Sequence, residues 1–480
     1  MGLVRQSCTY LLGRGLPAAI GLGSVAMYSR LLDPASVGAY ALVLSASLLA
    51  SGAAFSWLRV AALRLASQES ELHPDLATTI VLAFAVMSLA VGTLEAAGLA
   101  ALYRPALAAG TLALAAAAAV TSAWYELNAT LLQARLAVVS WGVLNLVRAL
   151  MALAASVLLI LAGFKTNALL CGFVLGNLAT IMVLPLWRPV LGGRFDRSRL
   201  QRLFAIGWSS SVSALLGLAS PAIQRYMLLL SAGAAAVGVY AVSQDFASQT
   251  MLVLIGSSSL AGIPLAFRAH DTAGSRETSR QLKDNARIIF AVALPAAVGL
   301  AALASPLAHV FLGPKFRAGA EVVMSLIALS TLLAGLRIYY FDQAFFLAMQ
   351  TRPQATVSGI STVAIIVSSM VFIPRYAAVG AALSSLVGSC VGVVLSAAWG
   401  MRMVHMPIPM RSWLKTGLAA AGMAIAIRLV PERAGTLNLL AIATLGSIVY
   451  AALAIGLRPD VMRAYLRPRF GARIAWLHRS

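Results

Sequence analysis

The sequence predicts an all-α integral membrane protein with about fourteen transmembrane helices. Sixty per cent of its 480 residues are apolar and only 11% are charged, whereas about 25% charged residues is usual in soluble proteins. Its apolar runs are continuous over roughly 20 residues or more, which as helices would cross roughly 30 Å of hydrocarbon. Strands of a membrane barrel would instead alternate in polarity over about ten residues.

The apolar runs, taken in order, predict two groups of six spans followed by two more. The predicted spans are 10–31, 36–58, 77–101, 106–132, 138–163, 168–189, 203–230, 235–267, 286–312, 318–349, 355–373, 377–403, 413–430 and 437–457. We therefore expect an N-terminal six-helix bundle over 1–190, a cytoplasmic linker over 191–202 and a second six-helix bundle over 203–405. Two extra transmembrane helices over 406–457 and a basic cytoplasmic tail over 458–480 complete the prediction.

The basic residues predict the orientation of the chain. The net charge is +21, and most Lys and Arg residues lie in short loops between apolar runs. With the N-terminus inside, 24 of the 36 basic residues fall in cytoplasmic segments and 8 in outer loops. This bias is typical of cytoplasmic loops, so we expect both termini in the cytoplasm and no nucleic-acid partner. The charged connector 268–287 predicts a short amphipathic helix on the inner surface.

Short motifs recur between the two groups of six spans. Residues 37–41 (VGAYA) recur as 237–241 (VGVYA), and residues 133–135 (QAR) recur as 350–352 (QTR). Each copy holds an even number of spans, so the copies are predicted to be parallel. Parallel repeats are related by an axis along the membrane normal, and transporters bind substrate between such halves.

Four arginines lie inside predicted spans, namely Arg14, Arg148, Arg225 and Arg337. A charge at the centre of a membrane helix costs about 2.5–3.5 kcal/mol on insertion scales, so such residues usually face a wet cavity or a partner. Arginine stays charged and binds phosphate oxygens in a fork. The four residues are therefore candidate ligands of an anionic substrate. The alternative is that each pairs with an acid or extends to the membrane surface.

Several acids inside spans could be those partners. The candidates are Glu126, Asp245 and Asp342, with Glu95 nearer the end of its span. Asp342 follows Arg337 by five residues, which is a poor spacing for one helical face, so we expect their partners on other helices. Asp245 has two interpretations: a permanent ion pair with an arginine, or a carboxylate that takes up a proton during transport.

Two further patterns concern contacts inside the membrane. Tyr240 and Gln244 are four residues apart and share a helical face with Ser248; this stripe would meet sugar hydroxyls or bond to a neighbouring helix. Gly172 with Gly176, and likewise the pair at 388 and 392, match a helix-packing motif, and we expect close packing within one protomer. The sequence contains no phosphate-binding loop, H-E-x-x-H motif or Cys/His cluster, so neither a cofactor nor a metal is predicted.

Four segments resemble a known family: 28–41 (YSRLLDPASVGAYA), 228–241 (LLLSAGAAAVGVYA), 313–316 (GPKF) and 373–382 (IPRYAAVGAA). They are similar to the polysaccharide-exporter, O-antigen-type flippase branch of the multidrug/oligosaccharidyl-lipid/polysaccharide (MOP) flippase superfamily. The resemblance implies a V-shaped pair of six-helix bundles in the bacterial inner membrane. It also implies transfer of an undecaprenyl-diphosphate-linked oligosaccharide between leaflets for lipopolysaccharide, capsule or exopolysaccharide synthesis. A polysaccharide polymerase and chain-length proteins would be further partners.

Two other functions stay open at this point. A cation-coupled multidrug exporter of the same superfamily would carry an acid in the first-half cavity, often in span one, but span one carries Arg14 and no acid. A membrane glycan polymerase or ligase would need large outer loops with catalytic groups, and the predicted outer loops are short. We therefore expect a flippase with a cationic cavity and no enzymatic activity.

Overall fold

The computed structural model describes residues 3–66, 73–102, 108–135, 137–183, 192–259, 262–348, 350, 352–431 and 435–457. Within these ranges, the side chains of residues 3–14, 66, 102, 182, 183, 209, 210, 213, 214, 257–259 and 262–275 lie outside the description. The described part of the chain is helical almost throughout and contains no strand. The predicted all-α membrane fold is confirmed.

The first six predicted spans each form one helix. These helices are α1 (Leu3–Leu31), α2 (Pro34–Ala66), α3 (Pro74–Leu102), α4 (Ala109–Ala134), α5 (Val138–Leu161) and α6 (Thr166–Val183). We call them the first half. Within it, α4 packs against α2, α3 and α6, and α5 packs against α1 and α6.

The next six predicted spans form the second half, in which two pairs of consecutive spans are separated by only one non-helical residue. Its helices are α7 (Arg197–Ser259), α8 (Gly262–Ala302), α9 (Ala304–Phe311), α10 (Ala320–Leu336), α11 (Gln343–Leu347) and α12 (Arg352–Met403). Two predicted spans meet in α7 at Gly233, where φ is 80°, a conformation that glycine adopts readily. Two more meet in α12 at Ala377, where φ is 48°.

The predicted connector helix over 268–287 is part of α8 and runs on into the ninth span. The remaining helices, α13 (Met410–Leu429) and α14 (Thr436–Leu457), pack on each other and on α8. By length and composition, eight described helical segments could cross a membrane, and two of them, Leu215–Gly256 and Arg352–Met403, contain the breaks just described.

Aspartates outside the membrane begin two of the long helices. Asp33 accepts hydrogen bonds from the backbone N–H and hydroxyl of Ser36 at 3.1 and 2.9 Å. Asp196 accepts hydrogen bonds from the backbone N–H and hydroxyl of Ser198 at 2.8 and 2.7 Å. Such caps satisfy helix N–H groups that have no partner within the helix. The bonds from Ser198 lower the pKa of Asp196. Burial would raise the pKa of Asp33, but the bonds from Ser36 outweigh it and the pKa lies below its usual value.

The repeated VGxYA motifs meet where the two halves touch. A Cβ added at Gly38 would lie 1.9 Å from the Ala234 carbonyl oxygen, and one at Gly238 would lie 2.0 Å from the Pro34 carbonyl oxygen. The two contacts are reciprocal, because each pair of equivalent residues is separated by 200 positions. A two-fold relation produces reciprocal contacts of this kind. We call this contact the outer seam, after the predicted orientation.

The two halves also touch at the opposite end of α2. A Cβ at Gly207 of α7 would lie 1.9 Å from the Trp57 carbonyl oxygen of α2. The Trp57 N–H donates to the Ser211 hydroxyl at 3.2 Å, and its ring contacts Phe204 edge-on at 5.5 Å. We call this contact the inner seam. Helix α2 is therefore held against α7 near both of its ends.

The two predicted glycine packing motifs do bring helices close within the protomer. A Cβ at Gly172 would lie 1.9 Å from the Ser156 hydroxyl, and one at Gly176 would lie 2.7 Å from the Ala152 Cβ. These contacts press α6 onto α5. In α12, a Cβ at Gly388 would lie 2.1 Å from the Ile365 side chain.

Candidate functional site

Charged side chains from both halves lie within electrostatic range of Tyr40 of α2. Tyr40 interacts electrostatically with Arg148 from α5, and with Arg225 and Asp245 from the two arms of α7. The first half therefore supplies Tyr40 and Arg148, and the second half supplies the other two groups. The structure thus brings together two of the predicted arginines and one predicted acid at the boundary between the halves.

Arg148 is held by neutral groups. Its guanidinium carbon lies 4.2 Å from the ring centroid of Tyr125, a cation–π distance. Its Nη1 donates to the side-chain oxygen of Asn177 at 3.5 Å, and the Tyr125 hydroxyl donates to Asn145 at 2.6 Å. Among the described residues, no carboxylate lies within 4 Å of Arg148. The side chain is partly buried, so this positive charge is positioned by the fold without an acidic partner.

Arg225 bridges the two halves. Its Nη1 donates to the Ala41 carbonyl oxygen of α2 at 3.1 Å, and its Nη2 donates to Gln244 at 3.2 Å. The same Nη2 lies 3.7 Å from a carboxylate oxygen of Asp245, whose side chain is about half exposed (51%). The Nε–H of Arg225 is buried without an acceptor among the described residues. Arg225 therefore keeps one donor that an incoming anion could use.

Arg337 forms an ion pair within its own helix turn. Its Nε donates to Asp342 at 3.3 Å, and its Nη groups donate to the hydroxyls of Ser358 and Ser361. Asp342 is 1% exposed and also accepts a hydrogen bond from Ser396. The expected partners on another helix are present in α12, but the expectation that Arg337 and Asp342 are poorly placed to pair with each other is wrong. Residues Arg337–Phe341 form a π turn, in which residues five apart lie one above the other.

The other predicted acids have different surroundings. Glu126 pairs with Arg59 at 2.9 Å, and both side chains are partly exposed. Glu95 is 8% exposed and contacts the Ser47 hydroxyl at 2.6 Å. The side chain of the predicted site residue Arg14 lies outside the described part of the chain.

The two residues of the predicted polar stripe differ in their roles. Tyr240 is fully buried, and its hydroxyl lies 3.5 Å from the Ser385 hydroxyl of α12. For Tyr240, the structure therefore shows the contact with a neighbouring helix. Gln244 accepts the hydrogen bond from Arg225 described above and orients that guanidinium.

Sequence reasoning missed the neutral residues of the site. Tyr40 belongs to the repeated VGxYA motif, and this repetition indicates how the two halves are related but not what the tyrosine contacts. Tyr125, Asn145 and Asn177 are polar interruptions of three neighbouring apolar helices. Asn145 and Arg148 are three residues apart, which places them on one face of α5. Polar residues at such spacing inside apolar runs were the available signal.

The described helices form a multi-pass membrane fold of two helical halves, and Arg225 forms hydrogen bonds in both of them. Residues 27–321 match the family described as "Polysaccharide biosynthesis protein", and the chain belongs to this family. A search of curated proteins found no match.

Solved structures share the fold over most of the chain. The lipid II flippase MurJ in an inward closed conformation has a TM-score of 0.74 and 14% identity, over 95% of this chain and 99% of that one. An inward-facing multidrug resistance MATE transporter of the MOP superfamily has a TM-score of 0.63 and 13% identity, over 82% of this chain and 98% of that one. The chain therefore shares its fold with a transporter of the MOP superfamily.

A third structure also shares the fold. It is a MOP superfamily transporter from Pyrococcus furiosus, described as having a binding pocket of reversed polarity, with a TM-score of 0.58 and 13% identity over 83% of this chain and 95% of that one. The three structures are described as a lipid II flippase and two transporters.

Proposed function

We propose that this protein is a flippase that moves an undecaprenyl-diphosphate-linked oligosaccharide from the inner to the outer leaflet of the bacterial inner membrane. One observation carries the proposal: Arg148 is a partly buried arginine inside a span with no carboxylate within 4 Å among the described residues. An unpaired cation in apolar surroundings is costly. An anionic headgroup is the ligand that would offset this cost.

The residues around Tyr40 would divide the work of binding. Arg148 anchors the diphosphate, and Arg225 adds its free Nε–H from the opposite half. Tyr40 and Tyr125 offer aromatic faces and hydroxyls to sugar rings, and Asn177 offers an amide. Each charge-assisted hydrogen bond contributes about 1.5–3 kcal/mol, enough to select a diphosphate over a neutral lipid.

The other predicted ligands take supporting roles in this proposal. Arg337 is already neutralised by Asp342, so it would not bind the diphosphate. Its hydrogen bonds to Ser358 and Ser361 hold the end of α10 against α12. Gln244 positions Arg225, and Tyr240 packs α7 against α12. Arg14 remains a candidate contact nearer the predicted inner surface.

The two halves would move relative to each other during transport, and α2 would also shift against its neighbours in the first half. We propose bundles over 1–190 and 203–405, joined by the linker 191–202, with both termini in the cytoplasm. Support comes from the packing, since α1–α6 contact each other, α7–α12 contact each other, and α2 and α7 make the main contact between the halves. Opening of the inner seam would expose the arginine site to one leaflet, and opening of the outer seam would expose it to the other.

The family and the matched fold support the class of substrate. The family is described by polysaccharide biosynthesis, and MurJ is described as a flippase of lipid II. A lipid-linked oligosaccharide combines both properties. A polymerase and chain-length proteins would then act on the product at the outer surface.

The test is flipping of an undecaprenyl-diphosphate-linked oligosaccharide in liposomes that contain the purified protein. We expect Arg148→Gln to lower the rate by about tenfold or more, because one charge-assisted contact is lost. Arg148→Lys should keep part of the rate, since it keeps the charge but not the fork. Arg428→Gln is the matched control, because Arg428 is exposed at the end of α13. Equal rates for Arg148→Gln and Arg428→Gln would contradict the proposal, as would transport of cationic drugs alone.

A further inference from the structure

A second polar site lies inside the first half, apart from the arginines. Glu95 of α3 is 8% exposed. Its Oε1 contacts the hydroxyl of Ser47 on α2 at 2.6 Å, and its Oε2 is buried without a partner among the described residues. A buried carboxylate with an unsatisfied oxygen is strongly unfavourable in an apolar medium. The group therefore requires a ligand that the protein side chains do not supply.

The hydrogen bonds around Ser47 favour a proton as that ligand. The Ser47 hydroxyl oxygen also lies 3.0 Å from the Val43 carbonyl oxygen and 3.2 Å from the Ala115 carbonyl oxygen of α4. A hydroxyl has a single hydrogen to donate. If Glu95 is a neutral acid, its O–H donates to Ser47, and Ser47 donates onward to one of the two carbonyl oxygens. If Glu95 is ionised, the charge stays on a carboxylate with one donor and no cation.

Among the residues that the structure describes, no basic side chain lies within 4 Å of Glu95. On α2, Arg59 lies 12 residues beyond Ser47, roughly 18 Å along the helix, and Arg64 lies further on. On α4, Glu126 lies 11 residues beyond Ala115, roughly 16 Å away along the helix, and pairs with Arg59.

The remaining titratable groups on these helices are also remote along the chain. Tyr40 is two turns before Ser47 on α2 and faces the arginine site. Asp75 stands at the start of α3, where it accepts a hydrogen bond from the backbone N–H of Arg194. Helix α7 meets α3 at that same end, where Leu203 packs against Leu76, so the basic residues of its first turns lie far from Glu95.

We propose that Glu95 is a proton-binding site whose occupancy controls the position of α2. With water present, Glu95 exchanges one proton with the solvent. When α2 closes against α3 and α4, Glu95 keeps the proton and holds Ser47. Release of the proton creates a charge that needs water, so α2 must separate from α3.

The position of α2 links this proton site to the arginine site. Ser47 lies six residues beyond Ala41, whose carbonyl oxygen accepts the bond from Arg225. Helix α2 is therefore held by Glu95 on one side and by Arg225 on the other. Through this link, proton binding at Glu95 determines which of the two seams is open. This coupling rests on the proposed function, whereas the protonation itself does not.

The protonation is tested by infrared spectroscopy of the protein in lipid. We expect the C=O stretching band of a protonated carboxylic acid near neutral pH, and its loss in Glu95→Gln. Gln keeps the shape of the neutral acid, so this variant should fold, and Ser47→Ala should shift the band by removing its hydrogen bond. A spectrum that Glu95→Gln leaves unchanged would overturn the proposal. An acid band that appears only when sodium is removed would also overturn it, because Glu95 would then bind the sodium ion instead of a proton.

The coupling is tested by flipping in liposomes with and without a proton gradient. We expect the gradient to raise the rate in the wild-type protein and to have no effect in Glu95→Gln, while binding of undecaprenyl diphosphate is kept. Glu126→Gln is the matched control and should keep the response, because Glu126 is half exposed and paired. An equal response in Glu95→Gln would overturn the coupling. A wild-type protein that flips no lipid-linked sugar would contradict the proposed function, and the infrared result would still decide the protonation of Glu95.

Discussion

Adding a methyl group at the outer seam should open it. In Gly38→Ala, the new Cβ would lie 1.9 Å from the Ala234 carbonyl oxygen, well inside the contact distance of two heavy atoms. The neighbour is backbone, so it cannot turn aside as a side chain would. Overpacking of this kind costs about 1–3 kcal/mol. The penalty falls only on the state in which the seam is closed, so the ratio of open to closed protein should rise roughly 5- to 150-fold.

The assay is a distance measurement between spin labels at positions 35 and 235, on a background without the three cysteines. Ala35 and Ala235 are exposed and occupy equivalent places in the two copies of the repeat. We expect a longer distance in Gly38→Ala, and also in the reciprocal variant Gly238→Ala. Gly217→Ala is the matched control on α7, because a Cβ there meets nothing within 4 Å. Unchanged distances in both seam variants, with folding intact, would refute the reasoning.

Two further predictions concern stability. Asp342→Asn should lower the free energy of unfolding by about 3–5 kcal/mol, because it leaves the Arg337 charge buried without its acid; thermal unfolding in detergent measures this, and a loss comparable to that of an exposed-site variant would contradict it. Asp196 has a lowered pKa in the folded protein, so its cap stabilises the protein above a pH of about 3.9 and is lost as the pH falls through the lowered value. The free energy of unfolding of Asp196→Ala should therefore fall less at acidic pH than that of the wild-type protein. If the two proteins have the same pH dependence of stability, the role of the cap is refuted.

The sequence was sufficient for the fold because the length of an apolar run determines a membrane span. Each predicted span corresponds to helical structure, although span 286–312 is divided between α8 and α9 and span 318–349 between α10, the π turn and α11. The glycine at 233 lies in the predicted connection 231–234. The sharpness of the turns at Gly233 and Ala377 was not predictable from apolar runs, since each turn depends on the backbone angles of a single residue.

The environment of each arginine could not be predicted, because its partners come from distant parts of the chain. Arg148 and Arg337 look alike as charges in apolar runs, but the first meets Tyr125 and Asn177 while the second meets Asp342. The pairing of Arg337 depends on a π turn, which helical periodicity does not reveal. Of the three arginines whose side chains are described, Arg337 is paired with a buried acid, whereas Arg148 and Arg225 lie near Tyr40.

The central claim is that an anionic lipid headgroup binds between the two halves at Arg148. The most direct test is a structure of the protein with undecaprenyl diphosphate bound in lipid. We predict phosphate oxygens within hydrogen-bonding distance of the Arg148 guanidinium, with Arg225 turned toward them from the other half. The claim would be contradicted by a diphosphate bound elsewhere, with Arg148 still stacked on Tyr125 and with no phosphate oxygen near its guanidinium.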